Sequence, residues 1–157
     1  MTRKSLTVEY EEYESAAELN AEDRELFDAA VGALSGSYAP YSNFNVGAAV
    51  RLEGGIIVKG ANQENAAYPS GLCAERTAMF AAGANWPGKA FKALAVVCAS
   101  GGELRTTPGY PCGACRQVMA QYERESGAPL RIILGGAGKI QILTGVASLL
   151  PFTFNEL

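Results

Sequence analysis

Ala93-Leu94-Ala95-Val96-Val97-Cys98-Ala99 is an apolar run without a polar break. A strand with one wet face alternates, so an unbroken run of this length predicts a central strand. Working back from it, the chain carries a helix from Cys73 to about Ala84. Within that helix Ala78-Met79-Phe80-Ala81-Ala82 is apolar nearly all round, which predicts burial on more than one side. Earlier still, Phe44, Val46, Ala48, Val50 and Leu52 alternate as a half-buried strand does. The turn Glu53-Gly54-Gly55 and the return strand from Ile56-Ile57-Val58 complete a hairpin. A first helix is expected from Asn20 to Ser35. Asn20 caps it, Leu26, Phe27, Ala30, Val31 and Leu34 form its apolar face, and Gly36 stops it.

Working forward, a second cysteine-bearing helix runs from Cys112 to about Ser126, with Val118, Met119 and Tyr122 on its inner face. Strands follow at Leu130 to Leu134 and Lys139 to Leu143, then a short helix near Val146 to Leu150 that ends at Pro151. The order of elements predicts one α/β domain over residues 20–157, a three-layer α/β/α fold with a five-stranded mixed sheet. Residues 1–19 read as an extended or loosely ordered N-terminal arm.

The chain has 157 residues, 48% of them apolar and 18% charged, which excludes whole-chain disorder and suits a single core. No apolar run approaches the ~18 residues of a membrane span. Met1-Thr2-Arg3-Lys4-Ser5 leads into acids and not into an apolar stretch, so no secretory signal is expected. Residues 1–28 hold nine acids against Arg3, Lys4 and Arg24, and the acidic start reads as a solvated face. No basic stripe of the kind that displaces phosphate counterions is present, so a nucleic-acid partner is not expected.

There are four cysteines and no histidine. Histidine-dependent nucleophilic schemes are therefore excluded, as are histidine-ligated zinc sites. Without an export signal the cysteines are expected as thiols in a reducing cytoplasm, where clustered thiols bind metal or do redox work. Pro111-Cys112-Gly113-Ala114-Cys115 opens one helix and Cys73-Ala74-Glu75 opens another. Helix N-termini favour thiolates. Cys73, Cys112 and Cys115 make three ligands and leave one tetrahedral position open, the layout of a catalytic Zn²⁺ site with water in the fourth place. Glu75 is not needed as a ligand, and a carboxylate beside such a water can move its proton. Three thiolates leave zinc formally −1, so Arg76 and Arg116 are candidates to offset the charge. Two other readings stay open at this point: a structural zinc knot with Cys98 as fourth ligand, and a thioredoxin-like redox pair.

These residues match the zinc-deaminase signature, Cys-x-Glu followed by Pro-Cys-x-x-Cys. The chain resembles the cytidine deaminases, the small nucleoside branch. Tyr41 to Ala48 is similar to that family's first-strand motif, Asn62-Gln63-Glu64-Asn65-Ala66-Ala67-Tyr68 to its nucleoside loop, and Cys73 to Ala78 with Pro111 to Gln117 to its zinc helices. Leu149-Leu150-Pro151 with Phe154 resembles its C-terminal end. The resemblance implies a zinc-dependent hydrolase of pyrimidine salvage that converts cytidine and deoxycytidine to uridine and deoxyuridine, with Glu75 as the catalytic proton carrier. It implies that Asn62 and Glu64 hold the ribose hydroxyls, that Phe44 meets the pyrimidine ring, and that Ala74 also contacts the substrate. It further implies a cytoplasmic homotetramer in which Tyr68 and Phe154 reach or border a neighbour's pocket. A deaminase of another amino-substituted ring, or a non-catalytic zinc module, is the alternative. The arm before residue 20 is longer than typical of the family, and Gln63 and Phe152 depart from its pattern.

Overall fold

The computed structural model describes residues 1–154. Its strands are β1 (Glu11–Tyr13), β2 (Phe44–Leu52), β3 (Ile57–Ala61), β4 (Phe91–Ser100), β5 (Glu103–Leu104), β6 (Arg131–Gly135) and β7 (Ile140–Thr144). The helices are α1 (Ala21–Ala33), α2 (Ala74–Asn85) and α3 (Gly113–Ser126). The strands form one mixed sheet in the order β1-β7-β6-β4-β2-β3, with β5 paired to the end of β4. β4 and β6 run parallel, and the other described pairs run antiparallel.

The apolar run of β4 is central, and its two faces go to different cores. Ala93, Ala95 and Val97 pack with Leu26, Phe27 and Ala30 of α1. Leu94 and Val96 pack with Ala78 and Met79 of α2 and Met119 of α3. The three-layer expectation therefore holds, with α1 on one face and α2 and α3 on the other.

Each face is seated by a close approach that only glycine permits. A Cβ on Gly47 of β2 would lie 2.2 Å from the Ala30 carbonyl oxygen of α1. A Cβ on Gly60 of β3 would lie 2.3 Å from the Ala78 nitrogen and 2.8 Å from the Ala74 oxygen of α2. The start of α1 is fixed separately. Asn20 Oδ1 accepts from the Asp23 amide at 2.9 Å, as a cap does. Buried Asp23 in turn accepts from Arg131 Nε at 2.9 Å and Nη2 at 2.8 Å, which ties α1 to β6.

The sheet has seven strands where the sequence predicts five. The two additions are β1 and β5, three and two residues long. Neither is long enough to show a period. β1 is Glu-Glu-Tyr and is held by pairing to β7 and by charge: Glu12 meets Lys139 at 2.7 Å and Glu11 meets Arg131 at 3.6 Å. Part of the N-terminal arm thus completes the sheet edge. The helix expected at Val146 to Leu150 is a single 3-10 turn, Val146–Ser148. In the apolar helix, Ala78, Met79 and Ala82 are buried but Phe80 stays 44% exposed, so one chain covers only one side of it.

The topology also decides where chemistry can occur. β3 and β4 both run antiparallel to β2, so their C-terminal ends share one edge of the sheet. α2 follows β3 and α3 follows β4, both on the same face, so the two helix N-termini meet there.

The Gly60 contact yields a stability prediction. Backbone cannot rotate away from an added methyl, so Gly60→Ala is expected to lower unfolding stability by about 3 kcal/mol, the upper end of overpacking costs. Gly113→Ala, where an added methyl meets open space, is expected to stay within about 0.5 kcal/mol of the parent. Urea midpoints of the two variants against the parent check both values.

Candidate metal centre and its pocket

Cys73 and Cys112 are the N-cap residues of α2 and α3, with extended backbones (ψ 154° and 167°) and side chains that do not cap the helix backbone. Their sulfurs are therefore free to point at one another, 3.8 Å apart. Cys115, one turn into α3, lies 3.5 Å from Cys112. All three sulfurs fall within 4.8 Å of one another. These are free thiols. Tetrahedral zinc with bonds of ~2.3 Å sets its sulfurs about 3.8 Å apart, so the trio fits that ion closely. Cys98 stands outside this group, which leaves the four-sulfur knot without its fourth donor. A redox pair is disfavoured as well, because it would leave Cys73 unexplained.

The electrostatics of the trio are those of a cation site. The Cys115 thiol donates to Cys73, and with Arg76 and Cys112 this pulls the Cys73 thiol down to about 5. Cys115 is pushed up, first because it donates to Cys73 and then by burial. Cys73 is thus favoured as the thiolate and Cys115 as the thiol that donates to it. Arg76 Nη2 approaches Cys73 Sγ at 3.7 Å, while its buried Nε has no hydrogen-bond partner. Arg116 is turned elsewhere: Nε donates to the Pro111 oxygen at 2.8 Å and Nη1 to the Leu149 oxygen at 2.7 Å. It thereby fastens the entry of α3 to the C-terminal segment.

Glu75 lies at the second position of α2 and is 4% exposed. Burial is the main reason its carboxyl holds a proton more tightly than usual, and the nearby Cys73 charge adds to this. Cys98 has a thiol pushed up to about 11, chiefly by burial. It sits against Gly109, where a Cβ would come within 2.2 Å of its sulfur.

A pocket of about 540 Å³ opens beside the trio. Cys73, Glu75, Arg76 and Cys112 line one part of it, and Phe44, Asn62, Glu64 and Tyr68 line another. Asn62 Oδ1 accepts from the Val46 amide at 2.8 Å and from Ser37 Oγ, and its Nδ2 donates to the Phe44 oxygen at 2.9 Å. Both acceptor sites are used, and one N–H remains for a ligand. Glu64 Oε2 accepts from the Tyr41 and Ser42 amides at 2.9 and 3.3 Å, and Oε1 from Ser42 Oγ. The Ser42 hydroxyl, first among these donors, holds the Glu64 carboxyl below its usual range. One lone pair on Oε1 remains. The Phe44 ring carries the Arg105 guanidinium 5.8 Å above its centroid.

Four of the expected site residues do not line this pocket, Arg116, turned to the Pro111 and Leu149 carbonyls, among them. Ala74 has its side chain buried in the core, Cys115 is buried beneath the other two sulfurs, and Phe154 is 67% exposed with its carbonyl held by Gln117 Nε2. Ser42 and Tyr110 line the pocket without a role expected from the sequence, and Cys98, weighed there only as a fourth zinc ligand, lines it too. For Ser42 and Tyr110 a signal existed, since each adjoins a motif residue.

Residues 20–126 match the family model described as the cytidine and deoxycytidylate deaminase zinc-binding region. The chain is 44% identical over 131 residues to a cytidine deaminase of Halalkalibacterium halodurans, covering 83% of this chain and 92% of that one. It is 45% identical over 120 residues to a cytidine deaminase of Sporosarcina psychrophila, covering 76% and 82%. A crystal structure of cytidine deaminase from Burkholderia pseudomallei superposes with a TM-score of 0.70 at 42% identity, covering 83% of this chain and 97% of that chain.

Metal content follows from the geometry. Purified protein is expected to retain about one zinc per chain after dialysis, and Cys98→Ala is expected to do the same. Cys73→Ala is expected to lose most of it. Elemental analysis by plasma mass spectrometry measures all three, and X-ray absorption should count three sulfurs and one lighter neighbour.

Proposed function

The chain belongs to the cytidine and deoxycytidylate deaminase family, and from that premise we propose that it hydrolyses free cytidine and deoxycytidine to uridine and deoxyuridine with release of ammonia. The observation that carries this reading is the meeting, in one pocket, of a three-sulfur cation site and a buried carboxylate with an amide and a carboxylate suited to a sugar. Cys73, Cys112 and Cys115 hold zinc, which when bound acidifies a water and polarises it for attack.

Glu75 does the proton work. Its carboxylate takes a proton from the attacking water as the new oxygen bond forms at C4 of the cytosine ring, and delivers it to N3. It then carries the second water proton to the departing amino nitrogen, and the C4–N bond breaks to give ammonia. A carboxyl whose burial raises its proton affinity suits both acceptance and donation. Val96 and Phe44 give the pocket an apolar lining for the ring.

The sugar is held at the other wall. The spare N–H of Asn62 donates to a ribose hydroxyl, and the spare lone pair of Glu64 accepts from one. Both groups are already fixed by backbone contacts, so little freedom is lost on binding. Phe44 faces the pyrimidine ring. Ala74, with its side chain buried, offers its backbone at the head of α2. Arg76 offsets the sulfur charge directly, and Arg116 supports the same site by fixing the entry of α3. Glu64, ionised at the sugar end, disfavours a phosphate there, and a polynucleotide lacks a basic stripe to follow.

Exposed Tyr68, Phe80, Phe152 and Phe154 are large apolar side chains at the surface of one chain. Their burial favours a homotetramer in which Tyr68 and Phe154 border a neighbour's pocket. Residues 20–157 form the deaminase domain and residues 1–19 the arm. A cytoplasmic place in pyrimidine salvage suits free thiols and a nucleoside substrate.

The central test is Glu75→Gln. It is expected to keep zinc and lose at least about 10³-fold in kcat, since proton transfer of this kind is worth roughly 10²–10⁴-fold per step. Full turnover in the zinc-loaded variant would remove the proposal. Glu64→Gln is expected to raise KM for cytidine roughly tenfold with a smaller change in kcat, because a charged acceptor is weakened. A panel of cytidine, deoxycytidine and their monophosphates reads the substrate class. Sedimentation equilibrium reads the assembly, and a tetramer mass is expected.

A further inference from the structure

The mechanism above leaves the N-terminal strand unused. Glu12 of β1 faces Gln141 of β7 as its register partner. Their side chains also meet: Gln141 Nε2 donates to Glu12 Oε2 at 2.8 Å. The other Glu12 oxygen accepts from Lys139 Nζ at 2.7 Å. The amide oxygen of Gln141 accepts from the Tyr110 hydroxyl at 2.8 Å. Tyr110 lines the pocket, two residues before Cys112. A continuous line of donors and acceptors therefore runs from the sheet edge to the pocket wall.

The chemistry gives that line one direction. An ionised carboxylate only accepts, so Gln141 must present its NH₂ to Glu12. Its carbonyl oxygen is then turned to Tyr110, and the phenol must donate to it. The Tyr110 hydrogen is thereby directed away from the pocket and the ring is held by its far end. The sheet order places β7 and β3 on opposite sides of β4. The Tyr110 wall accordingly stands across the pocket from the Asn62–Glu64 loop that follows β3.

We propose that the N-terminal strand is a positioning element for substrate: Glu12, acting through Gln141, holds the Tyr110 ring as the pocket wall beside the cysteine trio and so sets the fit of the nucleoside. Tyr110 is the contact residue, and Glu12 and Gln141 are positioning residues. The inference rests on the deaminase reading for the identity of its ligand, but not for the existence of the linkage. Removing any member frees the ring and loosens binding, while Glu75 and the sulfurs stay where they are. The effect belongs in KM and not in kcat.

The test is a double-mutant cycle. Glu12→Ala and Tyr110→Phe are each expected to raise KM for cytidine about three- to tenfold, the effect of losing one hydrogen bond, with kcat within about twofold. The double variant is expected to match Tyr110→Phe alone, because both changes cut one line. Glu12→Gln, which keeps an acceptor oxygen, is expected to restore most of the lost affinity. Unchanged KM in Glu12→Ala, or additive losses in the double variant, would overturn the proposal. A second readout needs no turnover: 3-fluorotyrosine placed at position 110 gives a ¹⁹F resonance in the ligand-free protein. Glu12→Ala is expected to shift or broaden it. An unmoved resonance overturns the linkage even if cytidine is a good substrate. A moved resonance in a protein that does not deaminate cytidine sinks the functional reading and leaves the linkage standing.

Discussion

Three sulfur atoms within 4.8 Å of one another cannot all be ionised without a cation between them, and the structure is arranged around that constraint. Two helix N-termini, brought to one sheet edge by parallel β3 and β4, point partial positive charge at the trio. Arg76 adds a full charge at 3.7 Å from Cys73. Within that field the Cys73 thiol is pulled down, chiefly by the Cys115 thiol that donates to it, and Cys115 is pushed up in turn. Glu75 sits inside the same field; burial first, and then the negative sulfur nearby, make its carboxyl hold a proton more tightly than usual.

The packing that delivers this geometry is unusually close. α2 lies on β3 with its backbone where a methyl group on Gly60 would be, and α1 lies on β2 in the same way over Gly47. The first contact involves Ala74 and Ala78, the turn that carries Glu75 between them. A helix placed that tightly has little room to slide, so the carboxyl and the Cys73 sulfur share one rigid mount. The wall formed by Asn62 and Glu64 is built differently. Asn62 and Glu64 are held by hydrogen bonds to the backbone near Phe44 and Tyr41, so the loops of the pocket brace one another without a helix.

What could be read from the residues divides along the same line. The unbroken run of β4, the alternation of β2 and the cap at Asn20 are local signals, and the elements they predict are present. The metal trio was also legible, because Cys-x-x-Cys at a helix start and Cys-x-Glu at another are spacing patterns. The short strands were not: Glu11-Glu12-Tyr13 has no period, and it forms a strand only because β7 offers a free edge and Lys139 a partner. Arg116 shows the same limit. Its position beside Cys115 suggests a counter-charge, yet the chain returns at Leu149 to supply a carbonyl that captures it. Tyr110 adjoins the Pro111–Cys115 motif, but its hydrogen-bond partner lies 31 residues ahead, on a strand whose register no local pattern announces.

One consequence of the two-helix origin of the sulfurs concerns the unfolded chain. Cys112 and Cys115 are neighbours in sequence, but Cys73 is 39 residues from Cys112 and separated from it by β4. An unfolded molecule can therefore offer a metal little more than a two-point chelate, whereas the native one offers three donors already in place. Binding and folding are linked in consequence, and free zinc at a thousandfold its dissociation constant adds about 4 kcal/mol to the native side. By that linkage the bound ion is a long-range clasp between two parts of the chain, and its removal by a chelating agent is expected to lower stability.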